Sequence, residues 1–362
     1  MSSCCFEQSR PSFVRGERTE SVVREAPTAG DSTASDARLG STEPVRVLYI
    51  GGLGRSGSTL LDLMLGEIPG LFPVGELRFI WERGVVADEL CGCGTQFREC
   101  PFWTAVGIEA FGGWDAIDPD ELVKLKRTID RHRFLPYILL PFLNSNFERR
   151  LHRYAGILAR LYRAIAKVSG ASVVVDSTKD PPYAFLLRKV PGIDVSVVHL
   201  VRDSRGVAYS WTKHVRKPEA RADAYMHTYR PVQIGLRWLL YNLLFHLLGR
   251  LEVPRLAVRY EHLVGKPREE LADILAYVDE EAREDVFSFL TQDRVDLNVH
   301  HTVAGNPLRF RRGELVLRVD DEWKTRLGRT DKLAVFLVTW PLLFVYGYLG
   351  RYAGSRSRDR AA

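Results

Sequence analysis

Short apolar runs rich in β-branched residues alternate along this chain with segments of helical periodicity. Such runs are typical of strands that are buried on both faces of a parallel sheet. A long helix is predicted between residues 146 and 169, where apolar residues recur at spacings of three and four and Gly170 follows. The alternation predicts a single α/β domain with a P-loop-like, doubly wound, mostly parallel central sheet flanked by helices. Strands are predicted at 45–50, 71–74, 172–176, 195–201 and 255–259, and further helices at 60–65, 231–251 and 267–278.

The two ends of the chain depart from this pattern. Residues 1–43 are rich in small and polar side chains and have few apolar positions, so we predict a disordered leader. The arginines of 351–362 predict a basic, flexible tail, which leaves 44–350 as the folded domain. The N-terminal residues contain no apolar core of the signal-peptide type, so a cytoplasmic protein is expected.

The net charge of +6 over 362 residues changes this picture little. A modest basic excess fits an anionic small molecule as well as a nucleic acid. The sequence has no block of lysine and arginine with interleaved aromatic residues, so we expect no nucleic-acid partner.

Residues 333–349 form an uncharged apolar stretch near the C-terminus. The stretch is at the short end for a membrane span, and it contains Pro341 and Gly347. We predict a helix that docks on the domain, with a peripheral membrane contact as the alternative.

The first predicted strand is followed by a glycine-rich loop and by the start of a helix. Glycines let the backbone turn its N–H groups toward an anion, and the helix N-terminus adds partial positive charge. The spacing fits a Walker A loop, except that Ser58 stands where that motif has its lysine. A phosphate-like ligand is therefore expected, and a nucleoside triphosphate is disfavoured. The residues predicted to hold the ligand are Arg55, Ser56, Gly57, Ser58 and Thr59.

Several polar residues directly follow predicted strands. In open α/β sheets, ligands bind beyond the carboxyl ends of the strands. We therefore expect these side chains to gather at one edge of the sheet and to form a site. They are Arg55, Glu76, Lys179, Arg202 and Tyr260.

Three segments resemble motifs of sulfotransferases that use 3′-phosphoadenylyl sulfate (PAPS). Residues 54–60, Gly-Arg-Ser-Gly-Ser-Thr-Leu, resemble the 5′-phosphosulfate loop of that family. Arg202 followed eight residues later by Ser210 resembles the 3′-phosphate motif, and 259–264 resembles a Tyr-Glu-x-Leu segment. The resemblance runs from about residue 45 to residue 350, and the nearest pattern is the branch with tyrosylprotein sulfotransferases and bacterial homologues.

The resemblance implies an enzyme that moves a sulfuryl group from PAPS to a hydroxyl acceptor by in-line transfer, without a required metal. It implies that Glu76 is the general base and that Arg55 and Lys179 stabilise the phosphosulfate. Residues 301–309 resemble a His-x3-Gly-Asn-Pro-x-Arg segment, which implies a loop that closes over the nucleotide and puts Arg309 near the 3′-phosphate. The implied cofactor-binding residues beyond the first loop are Arg202, Ser210, Tyr260, Gly305 and Arg309.

Two other functions fit parts of the same sequence. A P-loop kinase would use Asp176, at the end of a strand, to hold magnesium, although Ser58 replaces its lysine. A non-catalytic nucleotide-binding protein would keep the fold without the chemistry.

The cysteines are too few for a disulfide framework in a chain of this length. Cys91, Cys93 and Cys100 offer three thiolates, but no fourth ligand for a structural zinc is evident nearby in the sequence. A disulfide is disfavoured in a reducing cytosol. We therefore interpret these three cysteines as buried thiols, and no metal site is predicted.

The acceptor is expected to be a small molecule or a glycoside with a free hydroxyl. The segments 85–150 and 211–235 are predicted to shape its pocket, since their aromatic side chains permit an apolar or glycosidic acceptor.

Overall fold

The computed structural model describes residues 43–216, 225–251 and 253–350. The predicted leader, apart from residue 43, and the predicted basic tail lie outside the described residues.

The predicted apolar runs form the strands β1 (Val45–Gly51), β2 (Leu71–Gly75), β3 (Val173–Lys179), β4 (Ile193–Val201) and β5 (Arg255–Arg259). They pair in the order β2-β3-β1-β4-β5, and every neighbouring pair is parallel. The predicted α/β fold with a doubly wound parallel sheet is therefore confirmed.

β1 lies at the centre of the sheet, and its side chains alternate between the two faces. Val47 and Tyr49 belong to the apolar cluster on one face, and Leu48 and Ile50 belong to the cluster on the other. All four are at most 1% exposed, because helices cover both faces. Because both faces of β1 are buried, consecutive residues along the strand are apolar.

The outer edge of β2 is closed by a loop from late in the chain. Pro73 has no N–H to donate, and it is tolerated because β2 is an edge strand. After Pro73, the backbone of β2 pairs with Val303 through two hydrogen bonds on either side of Gly75. The Val303 N–H donates to the Val74 carbonyl at 2.8 Å, and the Glu76 N–H donates to the Val303 carbonyl at 2.8 Å. The loop after residue 300 therefore extends the sheet at the end of β2, directly beside Glu76.

The helices are α1 (Ser58–Gly66), α2 (Pro101–Phe111), α3 (Pro119–Arg127), α4 (Leu135–Leu139), α5 (Ser145–Ser169), α6 (Pro181–Leu187), α7 (Ser204–Ser210), α8 (Pro231–Gly249), α9 (Tyr260–Gly265), α10 (Pro267–Tyr277), α11 (Trp323–Arg326) and α12 (Arg329–Val345). The helix predicted from residue 146 is α5. It begins after Asn144, whose side chain accepts the Phe147 N–H, and it ends at Gly170 in the left-handed conformation.

The periodicity did not predict every element. α2 is apolar on most sides, with Trp103 and Val106 buried and Ile108 61% exposed, so no single stripe marks it. The antiparallel hairpin of β6 (Arg294–Leu297) and β7 (Gly313–Val316) was also missed. Its strands have four residues each, too few for a clear alternation.

α12 docks against α8, as predicted for residues 333–349, and buries Val335 and Leu343 completely. The two helices also present apolar side chains to solvent. The exposed side chains are Val232, Leu236, Leu240 and Leu243 on α8 and Leu333, Leu337, Trp340, Phe344 and Val345 on α12. Within the described part of the chain, no helix is long and apolar enough to cross a membrane. The peripheral membrane contact stays a prediction.

The turn after β1 gives a test of the sheet's packing. Gly52 has φ +136°, and a β-carbon there would stand 2.3 Å from the Leu200 carbonyl oxygen of β4. Gly52→Ala is therefore expected to lower the free energy of unfolding by about 2 kcal/mol or more, measured by urea denaturation.

Gly156→Ala is the matched control for this prediction. Gly156 lies within α5, and a β-carbon there would meet no atom within 4 Å. We expect this change to raise the free energy of unfolding by about 0.5–1 kcal/mol. Equal effects of the two substitutions would contradict the packing of Gly52 against β4.

Candidate active site

A cleft of about 320 Å³ opens where the parallel strands end. This volume is at the lower end of the range of about 300–1,000 Å³ that is usual for small-molecule sites. The predicted residues that line the cleft are Arg55, Gly57, Ser58, Thr59, Glu76, Lys179, Arg202, Ser210 and Tyr260. The other lining residues are Gly54, Leu60, Trp211, Met226, Asn306 and Leu308. The structure thus brings together all five of the residues that were predicted to gather at the strand ends.

The glycine-rich loop passes directly into α1. Gly57 is the N-cap of this helix, and its φ of +95° is in the left-handed region. A β-carbon at Gly57 would stand 2.6 Å from Cδ2 of Tyr260. Glycine therefore allows the Tyr260 ring to pack against the loop, and the N-terminus of α1 faces the cleft as an anion cradle.

Arg55 is held in this loop by an aromatic residue. Its guanidinium lies over the Trp211 ring at 5.4 Å from the centroid, and its Nη2 is 3.0 Å from the Met226 sulfur. The Trp211 Nε1–H donates to the Gly54 carbonyl at 3.0 Å. Burial lowers the pKa of Arg55, and the nearby Glu76 carboxylate opposes that shift. Arg55 is therefore a partly desolvated cation, which interacts strongly with an anion.

Two buried donors of the loop have no hydrogen-bond partner among the described residues. They are Arg55 Nε and Ser56 Oγ, and Ser56 is 2% exposed. Buried polar groups are nearly always paired, and an unpaired one costs free energy. Arg55 lines the cleft, where a bound anion would accept from its Nε, whereas Ser56 does not line the cleft.

Glu76 and Lys179 form an ion pair within the cleft. Glu76 Oε1 lies 2.6 Å from Lys179 Nζ, which also donates to the Ser177 carbonyl at 2.9 Å. Both side chains are about one-seventh exposed. Glu76 precedes a short 3₁₀ turn at Leu77, but its side chain does not cap that turn. The contact places a carboxylate beside a cation at the loop end of the cleft.

Lys179 does not pair with the neighbouring Asp180. Asp180 instead joins a network below the cleft, where its carboxylate pairs with Arg78 at 3.0 Å and accepts the Tyr241 hydroxyl at 2.9 Å. Arg78 also holds the buried Asp130. This network was not predicted, since its members are at least fifty positions apart and no local motif joins them. The network fixes the turn that carries Lys179.

Arg202 is the cation at the other end of the cleft. It is 5% exposed, and its guanidinium lies over the Tyr260 ring at 4.5 Å from the centroid. Its Nη2 donates to the Asp320 carbonyl at 2.7 Å and lies 3.2 Å from the Asp320 carboxylate. The neighbouring Asp203 pairs with Arg205 instead. Arg202 therefore forms an ion pair with Asp320, a residue that was not predicted from the sequence.

Asp320 serves two cations. Lys213 Nζ lies 3.3 Å from the Asp320 carboxylate that also faces Arg202. Partial burial raises the pKa of Asp320, but the charges of Arg202 and Lys213 outweigh it, so the pKa lies below its ordinary value. Asp320 belongs to no strand or motif, so no signal in the sequence could have found it.

Gly305 and Arg309 lie on the Glu76 side of the site. A β-carbon at Gly305 would stand 3.4 Å from Glu76 Oε1. Arg309 is 2% exposed and is absent from the lining of the cleft. Its guanidinium donates to the carbonyls of Thr302 and Leu90. The structure therefore brings Gly305 to the site, whereas Arg309 supports the loop rather than the Arg202 end where the resemblance put it.

The acceptor segments contribute unequally to this cleft. Segment 211–235 supplies Trp211 and Met226, whereas segment 85–150, all of it described, supplies no lining residue. Trp211 directly follows Ser210, so its position at the end of α7 could have been read from the sequence.

The magnesium ligand that a kinase would need is not exposed in this cleft. Asp176 is fully buried, and it accepts the Tyr162 hydroxyl at 2.5 Å and the Thr178 N–H at 2.9 Å. Burial raises the pKa of Asp176 to about 6, although these hydrogen bonds oppose the shift. Asp176 is therefore a structural carboxyl group within β3.

Comparison with known proteins gives matches among solved structures. No family model and no curated protein matches the chain. The sulfotransferase domain of the Synechococcus PCC 7002 olefin synthase is 19% identical, with a TM-score of 0.47 over 83% of this chain and 95% of that one. The sulfotransferase domain of the curacin biosynthetic pathway is 16% identical, with a TM-score of 0.45 over 83% of this chain and 98% of the other.

A third similar structure is sulfotransferase STF9 from Mycobacterium avium. It is 10% identical, with a TM-score of 0.38 over 68% of this chain and 66% of that protein. All three are sulfotransferases. The sequence motifs of this chain resemble the same family.

The Asp320 contact predicts a pH-dependent stability. The folded-state pKa of Asp320 is depressed, so its charge stabilises the fold above the unfolded pKa of about 3.9, and this contribution is lost as the pH falls through the folded pKa. Asp320→Asn should lower the free energy of unfolding at pH 7 by about 1 kcal/mol, since the carboxylate is partly exposed. The difference from the wild type should shrink toward pH 3, as measured by urea denaturation.

Asp321→Asn provides the control for the neighbouring position. Asp321 is exposed and pairs with Lys324 at 3.2 Å, so its loss should change the free energy of unfolding by less than about 0.5 kcal/mol. A deficit of Asp320→Asn that grows toward pH 3 would contradict the assigned pairing.

Proposed function

We propose that this protein is a PAPS-dependent sulfotransferase that transfers a sulfuryl group to the hydroxyl of a small molecule or glycoside. One observation carries the proposal: a single cleft holds a cation centre at each end, and the carboxylate of Glu76 lines it beside one of them. Arg55 and Lys179 form the centre beside the glycine-rich loop, and Arg202 forms the other. PAPS carries a phosphosulfate and a 3′-phosphate, so it needs two separate anion sites.

At the loop end, the proposed chemistry assigns a role to three side chains. Glu76 takes the proton of the acceptor hydroxyl as the hydroxyl oxygen bonds to sulfur. The bond between sulfur and the bridging phosphate oxygen breaks, and the electron pair stays on that oxygen. Arg55 and Lys179 stabilise the charge that develops there, so no metal is needed for this step.

At the other end, Arg202 would exchange one anion for another. Its guanidinium faces Asp320 in this structure and would face the 3′-phosphate in the complex. Ser210 lines the cleft nearby and supplies a hydroxyl donor, and the Tyr260 ring holds the guanidinium from below. Lys213 shares Asp320 and adds a second positive charge to this end.

The rival functions receive less support from the cleft. A kinase lacks its loop lysine at Ser58, and Asp176 is buried against Tyr162. A non-catalytic binding protein would not need Glu76 and Lys179 beside the glycine-rich loop. The proposed enzyme is expected in the cytoplasm.

Binding of 3′-phosphoadenosine 5′-phosphate tests the nucleotide half of the proposal. Isothermal titration should detect binding without magnesium, and Arg202→Ala should weaken it by about 10- to 100-fold, as expected for a lost charge-assisted hydrogen bond. Arg205→Ala is the control, because Arg205 lies only three positions further along the chain, on α7, but pairs with Asp203. Tight binding of magnesium-ATP instead, or an equal response to both substitutions, would refute this half.

The base is tested by Glu76→Gln. Release of 3′-phosphoadenosine 5′-phosphate from PAPS is measured against a panel of phenolic and glycosidic alcohols. The substitution should lower turnover by about 10²- to 10⁴-fold, since an amide cannot accept the proton, while nucleotide affinity changes little.

Glu314→Gln serves as its control, because Glu314 lies on the exposed hairpin and pairs with Arg294. Its turnover should match that of the wild type. A Glu76→Gln enzyme that keeps full turnover would exclude Glu76 as the base. A wild type that binds the nucleotide but turns over no acceptor would favour the non-catalytic alternative.

A further inference from the structure

Three cysteines and one histidine meet outside the cleft. Cys91 and Cys93 lie in the loop before α2, Cys100 is the N-cap of α2, and His301 comes from the loop that closes the edge of β2. One potential ligand atom from each of the four side chains lies within 4.8 Å of the other three. Cys91 and Cys100 are almost completely buried.

The separations of these atoms match a tetrahedral metal site. With zinc–sulfur bonds of about 2.3 Å and zinc–nitrogen bonds of about 2.0 Å, tetrahedral geometry puts two sulfurs about 3.8 Å apart and a sulfur and a nitrogen about 3.5 Å apart. The Cys93 and Cys100 sulfurs are 3.8 Å apart. His301 Nδ1 lies 3.8 Å from the Cys91 sulfur and 3.1 Å from the Cys100 sulfur. A disulfide would need sulfurs about 2.05 Å apart.

The surroundings suit thiolates and a fixed imidazole. Cys100 sits at the N-terminus of an eleven-residue helix, where partial positive charge favours the thiolate. The Thr95 hydroxyl is 3.1 Å from the Cys93 sulfur and can donate to it. The Phe102 ring stacks on the His301 ring with centroids 5.3 Å apart, which limits rotation of the imidazole. Outer contacts of this kind orient the ligands of metal sites.

We propose that Cys91, Cys93, Cys100 and Nδ1 of His301 bind one Zn²⁺ ion. Three sulfurs and one imidazole nitrogen form a soft ligand set that selects zinc and fills all four tetrahedral positions. A closed site leaves no position for water or substrate, so the ion has a structural role. No metal was predicted from the sequence, because the fourth ligand, His301, is 201 positions away from Cys100.

The ion would connect two loops that support Glu76. The Gly92 N–H donates to the Thr302 carbonyl at 3.0 Å, so the cysteine loop and the His301 loop already touch. One residue further, Val303 pairs with the backbone of Glu76. Zinc would fix the start of this loop and thereby the position of Glu76. The proposed zinc site does not depend on the proposed sulfuryl transfer.

The test measures zinc in the full-length protein, purified through a tag that binds no metal. Plasma mass spectrometry should find about one zinc per chain, as expected for a single closed site. Cys91→Ser and His301→Ala should each lose most of it, whereas His301→Cys should keep it, because a fourth thiolate still completes the tetrahedron. The double variant Cys4→Ser, Cys5→Ser is the matched control, since it removes two thiols far away in sequence and should keep the zinc.

A second measurement covers variants that fail to fold. The wild type is stripped with a chelator, reloaded with Co²⁺, and examined for thiolate-to-cobalt charge-transfer absorption. Alkylation of the stripped, denatured protein without reductant should modify all five cysteines. A wild type that takes up neither Zn²⁺ nor Co²⁺ would overturn the proposal, as would alkylation of three cysteines, which indicates a disulfide. Either result would leave nucleotide binding to be judged separately.

Discussion

The parallel pairing of β1 with β3 and β4 is the constraint on which the cleft depends. Parallel strands end at the same edge of a sheet, so the residues that follow them share one edge. Arg55 follows β1, Lys179 ends β3 and Arg202 follows β4. Three cations from distant parts of the chain therefore meet at this edge, where Arg202 Nη1 also donates to the Arg55 carbonyl at 3.1 Å. The burial of β1 on both faces holds this arrangement, because a shift of its register would move apolar side chains out of both clusters.

Concentrated positive charge needs compensation in the folded protein. Each end of the cleft has its own carboxylate: Glu76 lies beside Lys179, and Asp320 lies beside Arg202. Partly buried cations would repel one another without these partners. In the proposed mechanism, an anionic ligand replaces Asp320 beside Arg202, and Glu76 acts on the acceptor at the other end. The same pairs that stabilise the unliganded protein thus keep its cations in position.

The loop that follows residue 300 connects the edge of the sheet to the site. Val303 pairs with β2, Gly305 lies against Glu76, and Arg309 holds the carbonyls of Thr302 and Leu90. None of these contacts is local in sequence. A buried arginine that donates to carbonyls acts as a brace for the loop, which explains why the resemblance to a nucleotide-binding segment did not predict its place.

Local patterns in the sequence determined the strands, the long helices, the glycine-rich loop and the residues that follow the strand ends. Each of these is encoded within a few neighbouring positions, by periodicity, by glycine or by the end of an apolar run. Only the tertiary structure decided that Asp320 faces Arg202, that Asp180 binds Arg78, and that His301 joins the three cysteines. These contacts join loops that are far apart in the chain and carry no periodicity. These contacts depend on how the layers of the fold pack together, and no single segment of the sequence determines that packing.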